Sequence, residues 1–298
     1  MTSRGLLAGL LTAWAAATLV GSTSRASDAA DVARRVLDDS RPRADREALV
    51  NANAAISAEL LTALVEGMRP GTPEEYRRIP WIWRVAIAVG KRNEGPEIVR
   101  LLERSLPVAG GRLDDWRAVV LGGGIVNGIT QAGDWPGARI DGLLQGHPDL
   151  EARWRRAIDL ASVMADDPMV PDGTRYDALR MLGTQPWERR GAQLFRYLLK
   201  GTPAELQMGA VSGLGDVPSP CAAQALLSGI GHYDETNRNL ALDALLRDES
   251  RAQSLLDAVA DGRVTRAALG SRRVKALTEH PSEAIRRRAV ELLGEPGD

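Results

Sequence analysis

"RRIPWIWRVAIAVGKRN", residues 77–93, decides the fold. Trp81, Trp83, Val85, Ile87 and Val89 alternate as a β-strand would. Ile82, Val85, Ala86 and Val89 equally follow the i, i+3, i+4, i+7 spacing of a helix. A strand would point towards a ligand site at its end, whereas a helix would be a packing element. The stretch satisfies both patterns, so its neighbours have to choose.

They choose the helix. Similar hexapeptides recur along the chain: VAIAVG at 85, AVVLGG at 118, ALRMLG at 178, AVSGLG at 210, ALDALL at 241 and AVELLG at 289. Several intervals are 31 to 33 residues; those from 118 to 178 and from 241 to 289 are longer and imply an extra or insertion-bearing unit. Between them lie second amphipathic segments such as PEIVRLLERSL and ESRAQSLLDAVADG, with Gly or Pro at the joints. A period of this size built from two helices predicts an all-α fold, an α-solenoid of stacked helical hairpins in a HEAT-like superhelix. WIWRVAIAVG is then the inner helix of one repeat, with Pro80 in its first turn and Gly90 at its stop. A helix flanked on both sides is apolar over most of its circumference, which explains the double periodicity. Trp81 and Trp83 fill space, while Ala86 and Ala88 let a neighbour approach.

GHPDLEARWRRAIDLA at 146–161 echoes EHPSEAIRRRAVELL at 279–293: His-Pro in a turn, acids at a helix start, then basic residues and an apolar stripe. His147, His232 and His280 are therefore read as turn or capping residues rather than ligands or proton carriers.

Composition narrows the functions. The formal charge is −1, which argues against nucleic acid as a partner. Lys91, Lys200 and Lys275 are the only lysines among 38 basic residues, a skew read as GC-rich coding. Arg286, Arg287 and Arg288 are accordingly read as a solvated face. Residues 1–26 read as a signal peptide, with Arg4, an apolar run from Leu6 to Val20, and Ser24 and Ala26 before the cleavage point. An uncleaved anchor is the alternative. Residues 27–44 read as a linker, and 45–298 as the repeat domain with no later membrane span. The expected location is periplasmic or otherwise outside the cytoplasm. Cys221 is the sole cysteine; it excludes an internal disulfide and reads as a small core residue at a helix start.

LTEHPSEAIRRRAVELLG looks like a HEAT unit. IPWIWRVAIAVGKRN, DDWRAVVLGGGIVNGI and DWPGARIDGLL together resemble the HEAT segment of planctomycete-type membrane-bound dehydrogenases. In that family a propeller-like sugar-dehydrogenase domain precedes the helices and a haem-binding Cys-x-x-Cys-His domain follows them. Neither is found in this sequence. The resemblance therefore implies a helical scaffold and an extracytoplasmic setting, and it carries over no catalytic residue.

Rival chemistry is weak. WRAVVLGGGIVNGITQAGDWPGARID, 116–141, could be a strand, a glycine turn and a helix with Asp141 as the ribose acid, but Asn127 stands where the third glycine of G-x-G-x-x-G belongs. The pairs Asp38-Asp39, Asp114-Asp115, Asp166-Asp167 and Asp248-Glu249 fall at helix ends and read as caps. Ser212 lacks the preceding glycine of a G-x-S-x-G elbow.

The sequence thus predicts a non-enzymatic exported scaffold with no cofactor and no metal. Its protein partner, by the resemblance, would be a redox enzyme such as a dehydrogenase or cytochrome. The candidate surface comprises Arg84, Lys91, Arg92 and Asn93 on one repeat and Asp115, Trp116, Arg117 and Asn127 on the next. Trp135 joins them as a loop anchor. The alternatives are a nucleotide-binding oxidoreductase, a HEAT-type chromophore lyase, or an inactive remnant of a longer dehydrogenase.

Overall fold

In the computed structural model, which describes residues 25–294, the deciding stretch is helical up to Arg92. It belongs to a helix of 20 residues, Pro73–Arg92, that starts a full two turns earlier than Pro80. Pro73 occupies the first-turn position after Thr72, and Glu74 and Glu75 complement the positive end of the helix. Pro80 is inside the helix, where it removes the N–H that would bond the Tyr76 carbonyl. The helix runs through Gly90 and ends at Asn93, whose φ of 55° turns the chain.

The elements are α1 (25–36), α2 (Arg43–Ala52), α3 (Ser57–Val65), α4 (Pro73–Arg92) and α5 (Gly95–Ser105). Next comes α6, a continuous rod made of Asp115–Ala118, a π-helical Val119–Val126 and Asn127–Gln131. Then follow α7 (Pro136–Leu144), α8 (Pro148–Asp166), α9 (Asp172–Leu182), α10 (Trp187–Arg196) and α11 (Ala204–Gly215). The last five are α12 (Pro220–Gly229), α13 (Glu235–Ala244), α14 (Glu249–Ala260), α15 (Arg266–Thr278) and α16 (Glu283–Leu293). No strand occurs among the described residues.

These helices form two rows. In the inner row α4, α6, α9, α11 and α13 each pack on the next. In the outer row α3, α5 and α7 follow one another, and α10, α12, α14 and α16 do the same. This is a HEAT-like α-solenoid of stacked helical hairpins, as the repeat predicts. The long interval after 118 holds two helices, α7 and α8, while α6 still touches α9 directly; it is an insertion outside the inner row. The last hexapeptide, AVELLG, departs from the pattern. It sits in outer-row α16, whose buried Ile285, Ala289 and Leu293 make a one-sided stripe.

Glycines set the spacing of the inner row. A Cβ added to Gly128 would lie 2.5 Å from the Cα of Gly90, and one added to Gly183 would lie 2.5 Å from the Cα of Gly213. Gly124 likewise faces Ala86, and Gly122 faces the carbonyl of Asp177. The backbones themselves are in contact, so the repeated glycine is a packing residue, and dispersion between the rods offsets its poor helix propensity. Every residue of Val119–Val126 is buried as a result.

The arginines have a structural use that coding bias does not explain. Arg78 donates to the carbonyls of Leu64 (2.8 Å) and Glu66 (2.9 Å) at the end of α3. Arg153 does so for Glu103 in the last turn of α5 and Leu106 just after it, and Arg175 for Ala165 in the last turn of α8. Arg251, 1% exposed, reaches the carbonyls of Leu214, Gly215, Val217 and Ala244. A forked guanidinium satisfies several orphan carbonyls at the negative end of a helix, which an ammonium group does less well.

Two further readings change. Residues 27–44 are no linker: α1 buries Val32, Ala33 and Val36 in the common core. Cys221 is exposed, because the inward face of α12 is taken by Ala222, Ala223, Ala225 and Leu226. The first 24 residues, which hold most of the signal-peptide reading, lie outside the described residues. No single helix among the described residues is long and apolar enough to cross a membrane. His147 precedes Pro148 at the start of α8, His280 Nδ1 accepts from the Ser282 N–H (3.1 Å), and His232 Nε2 bonds the Leu198 carbonyl (2.7 Å).

Candidate functional site

The nine surface candidates divide sharply. Arg84 is half-buried, pairs with Glu47 at 2.6 Å and lies beside both Trp81 and Trp83. Arg92 is clamped on Glu97 and reaches Ser57. Asn93 bonds the Asp134 carboxylate, while its own oxygens accept from Arg139 at 2.9 and 2.8 Å. Asp115 accepts from the Tyr76 hydroxyl at 2.8 Å. Trp116 is buried, its N–H held by Glu75 and its ring covered by Arg117. Arg117 also caps the Ser105 carbonyl at 2.7 Å. Trp135 is half-buried and stacked under Arg247, 4.1 Å from the ring centroid, with Arg251 at 5.0 Å. These seven tie repeats together. Lys91 is exposed, and Asn127 lines a groove.

That groove, about 520 Å³, lies on the inner row. Asn127, Thr130 and Gln131 enter it from α6, Arg180 from α9, Val211, Ser212 and Asp216 from α11 and its end. Leu240, Asp243 and Ala244 of α13 close the far side with Arg247. Its floor is an ionic hub. Asp216, 1% exposed, accepts from Thr130 (2.8 and 2.9 Å), Arg180 (2.9 Å) and Arg247 (2.6 Å). One carboxylate thus joins four consecutive inner helices. Burial pulls the Arg180 pKa down, but Asp216 and its other neighbours outweigh that, so the guanidinium stays charged.

Sequence reading found only Asn127 of this groove and used Ser212 only to reject a nucleophile elbow. Arg180, Asp216 and Arg247 were missed because each follows or interrupts a hexapeptide as one charged residue among many. What distinguishes them is their joint ion pairing, around a buried Arg180 and Asp216, which a lone sequence does not display.

A second buried group, Asp177, sits beside the π-helical segment, its carboxyl against Gly123. Burial pushes it up to about 8, and Glu205 and Asp115 add to the rise while Arg180 opposes it. It is therefore a neutral acid at pH 7. Trp83 Nε1 donates to the neighbouring Gly123 carbonyl at 2.9 Å. Gly122, Gly124 and Gly128 are thus helical packing residues, which replaces the strand–turn–helix reading of 116–141. Among the described residues no group of three or more His, Cys, Asp or Glu side chains could hold a metal ion. On the outer row, Trp187, Phe195, Cys221 and Ala225 line an apolar groove of about 570 Å³.

No protein-family model matches the chain, and no curated protein matches it by sequence. Among solved structures it is similar to human deoxyhypusine hydroxylase in complex with glycerol, at 12% identity and a TM-score of 0.30, covering 92% of this chain and 98% of that one. Likeness at that level leaves the fold to be read from the helices themselves.

Proposed function

We propose that the chain is a non-enzymatic interaction scaffold, exported from the cytoplasm, whose inner-row groove takes a segment of a partner protein. One observation carries the reading: four successive inner helices contribute to a single groove, and a buried ion-pair hub fixes them in register. Solenoids present such extended surfaces to proteins and peptides. Export rests on the leader pattern in residues 1–26. A dehydrogenase or cytochrome as partner rests on the sequence resemblance of residues 79–144.

The test is photocrosslinking in intact cells, with a photoreactive side chain placed at Ser212 in the groove or at Val163, which is 70% exposed on α8. The reading expects a discrete adduct from Ser212 and none from Val163. Equal capture from both, or none from Ser212, would speak against it.

A further inference from the structure

We infer that a basic segment of the partner lays an ammonium or guanidinium group against an acidic, aromatic patch beside the groove, formed by Asp115 of α6, Asp177 of α9 and Glu205 of α11 with Tyr76 and Trp83 of α4. This rests on the scaffold reading and adds the chemistry of the partner.

The patch continues the face that lines the groove. Gly123, against which Asp177 packs, lies one turn before Asn127 on α6. Asp177 comes three residues before Arg180 on α9, and Glu205 seven before Ser212 on α11. Asp115 accepts from the Tyr76 hydroxyl, and none of the three carboxyls has an ion-pair partner among the described residues. The guanidinium groups nearby are engaged elsewhere: Arg117 with Asp114 and the Ser105 carbonyl, Arg175 with Asp172 and the Ala165 carbonyl, Arg180 with Asp216. Asp115 and Glu205 therefore leave two negative charges uncompensated.

Asp177 is the group that points to a ligand. Asp115 and Glu205 sit in first turns, where the helix dipole accounts for an acid. Asp177 lies in the second turn of α9, where that account does not apply. The residue is only 7% exposed, and its carboxyl makes no hydrogen bond among the described residues. Unlike Arg180 Nε, neither of its oxygens is cut off from solvent. An unpartnered buried acid costs stability, and an arriving cation would supply the missing partner. Trp83 borders it, with Cδ1 3.4 Å from where a Gly123 Cβ would stand, and Tyr76 is 44% exposed, so the cation also meets aromatic rings. The charged groups acting on Asp177 are Arg180 on its own helix, Glu205 and Asp115; α8 and α10, which also pack on α9, add none. Burial and the two carboxylates hold its proton at pH 7, and a bound cation would release that proton to solvent.

The experiment is isothermal titration calorimetry of the full chain at pH 7, with a nonapeptide carrying three arginines among neutral residues and with its Gln and Glu versions. The Arg peptide is expected to bind at least about tenfold tighter than the Gln peptide and to weaken as salt rises. Its binding should release up to about one proton, read as a difference in apparent heat between phosphate and Tris buffers. Asp177→Asn should abolish that difference. Glu205→Gln should weaken the Arg peptide roughly threefold, whereas Glu188→Gln, exposed on outer-row α10, should leave it unchanged. Equal binding of the Gln or Glu peptide, a heat independent of buffer, or equal effects at Glu205 and Glu188 would overturn the inference. No binding of any peptide would also overturn it. If Ser212 still gives an adduct in cells, only the basic chemistry fails; if that is lost too, the scaffold reading fails with it.

Discussion

Gly128→Ala puts the fold to a quantitative test. In a solvent-facing helix this change gains about 1 kcal/mol from propensity. Here the new methyl would meet the Gly90 Cα at 2.5 Å and the Ile87 carbonyl oxygen at 2.7 Å, both backbone atoms that cannot rotate aside. Ordinary contact begins near 3.4 Å, so α4 and α6 must part by about 1 Å along a shared interface. Overpacking of this kind costs about 1–3 kcal/mol, and the separated rods also lose dispersion along their length. The net expectation is a loss of about 1–3 kcal/mol. Gly142→Ala in α7 is the control, because a Cβ there meets nothing within 4 Å. It should stabilise by about 0.5–1 kcal/mol. Urea unfolding followed by far-ultraviolet circular dichroism and tryptophan fluorescence gives both values. Stabilisation by Gly128→Ala at an unchanged denaturant slope would refute the close approach of the two helices.

Three further outcomes follow from buried or exposed groups. Asp177 stays protonated in the fold up to about pH 8, whereas the unfolded chain ionises it above the ordinary 3.8, so it withdraws stability as pH rises through that window. Asp177→Asn should raise the melting temperature at pH 7 and match the wild type below pH 4; a constant offset at all pH values would contradict a neutral buried acid. Arg251→Met should cost at least about 3 kcal/mol in urea unfolding, because buried carbonyls at the ends of α11 and α13 lose their donor; a loss below about 1 kcal/mol would mean those carbonyls find water. Cys221 should react with a thiol reagent at one equivalent in the native protein, without denaturant. Reaction only after unfolding would show the thiol to be buried.

The architecture was legible because the repeat writes the same physical demand several times. Each inner helix has neighbours on two sides, so each needs an apolar hexapeptide, and most need a small residue where backbones touch. Helix ends were harder. Pro80 looks like a first-turn proline, yet Pro73 and the Glu74-Glu75 pair supply that turn, and local chemistry does not say which proline wins. The linker reading of 27–44 failed because α1 buries little more than Ala29, Val32, Ala33 and Val36 amid charged residues, too thin a stripe to stand out. The candidate surface suffered most. Arg84, Arg92, Arg117 and Trp135 are all large and polar-tipped, as binding residues are, but carboxylates, carbonyls and stacking partners from other repeats claim them. The groove is made by residues more than 80 positions apart, such as Thr130 and Asp216, and no local pattern links them.

The most direct test of the stacked inner row is a nuclear Overhauser measurement on protein labelled with carbon-13 at glycine. If the backbones touch, the Hα protons of Gly90 and Gly128 give a strong cross-peak, and those of Gly183 and Gly213 give another. Loss of both cross-peaks in a fully assigned, folded spectrum would show that the repeats do not pile helix on helix as described.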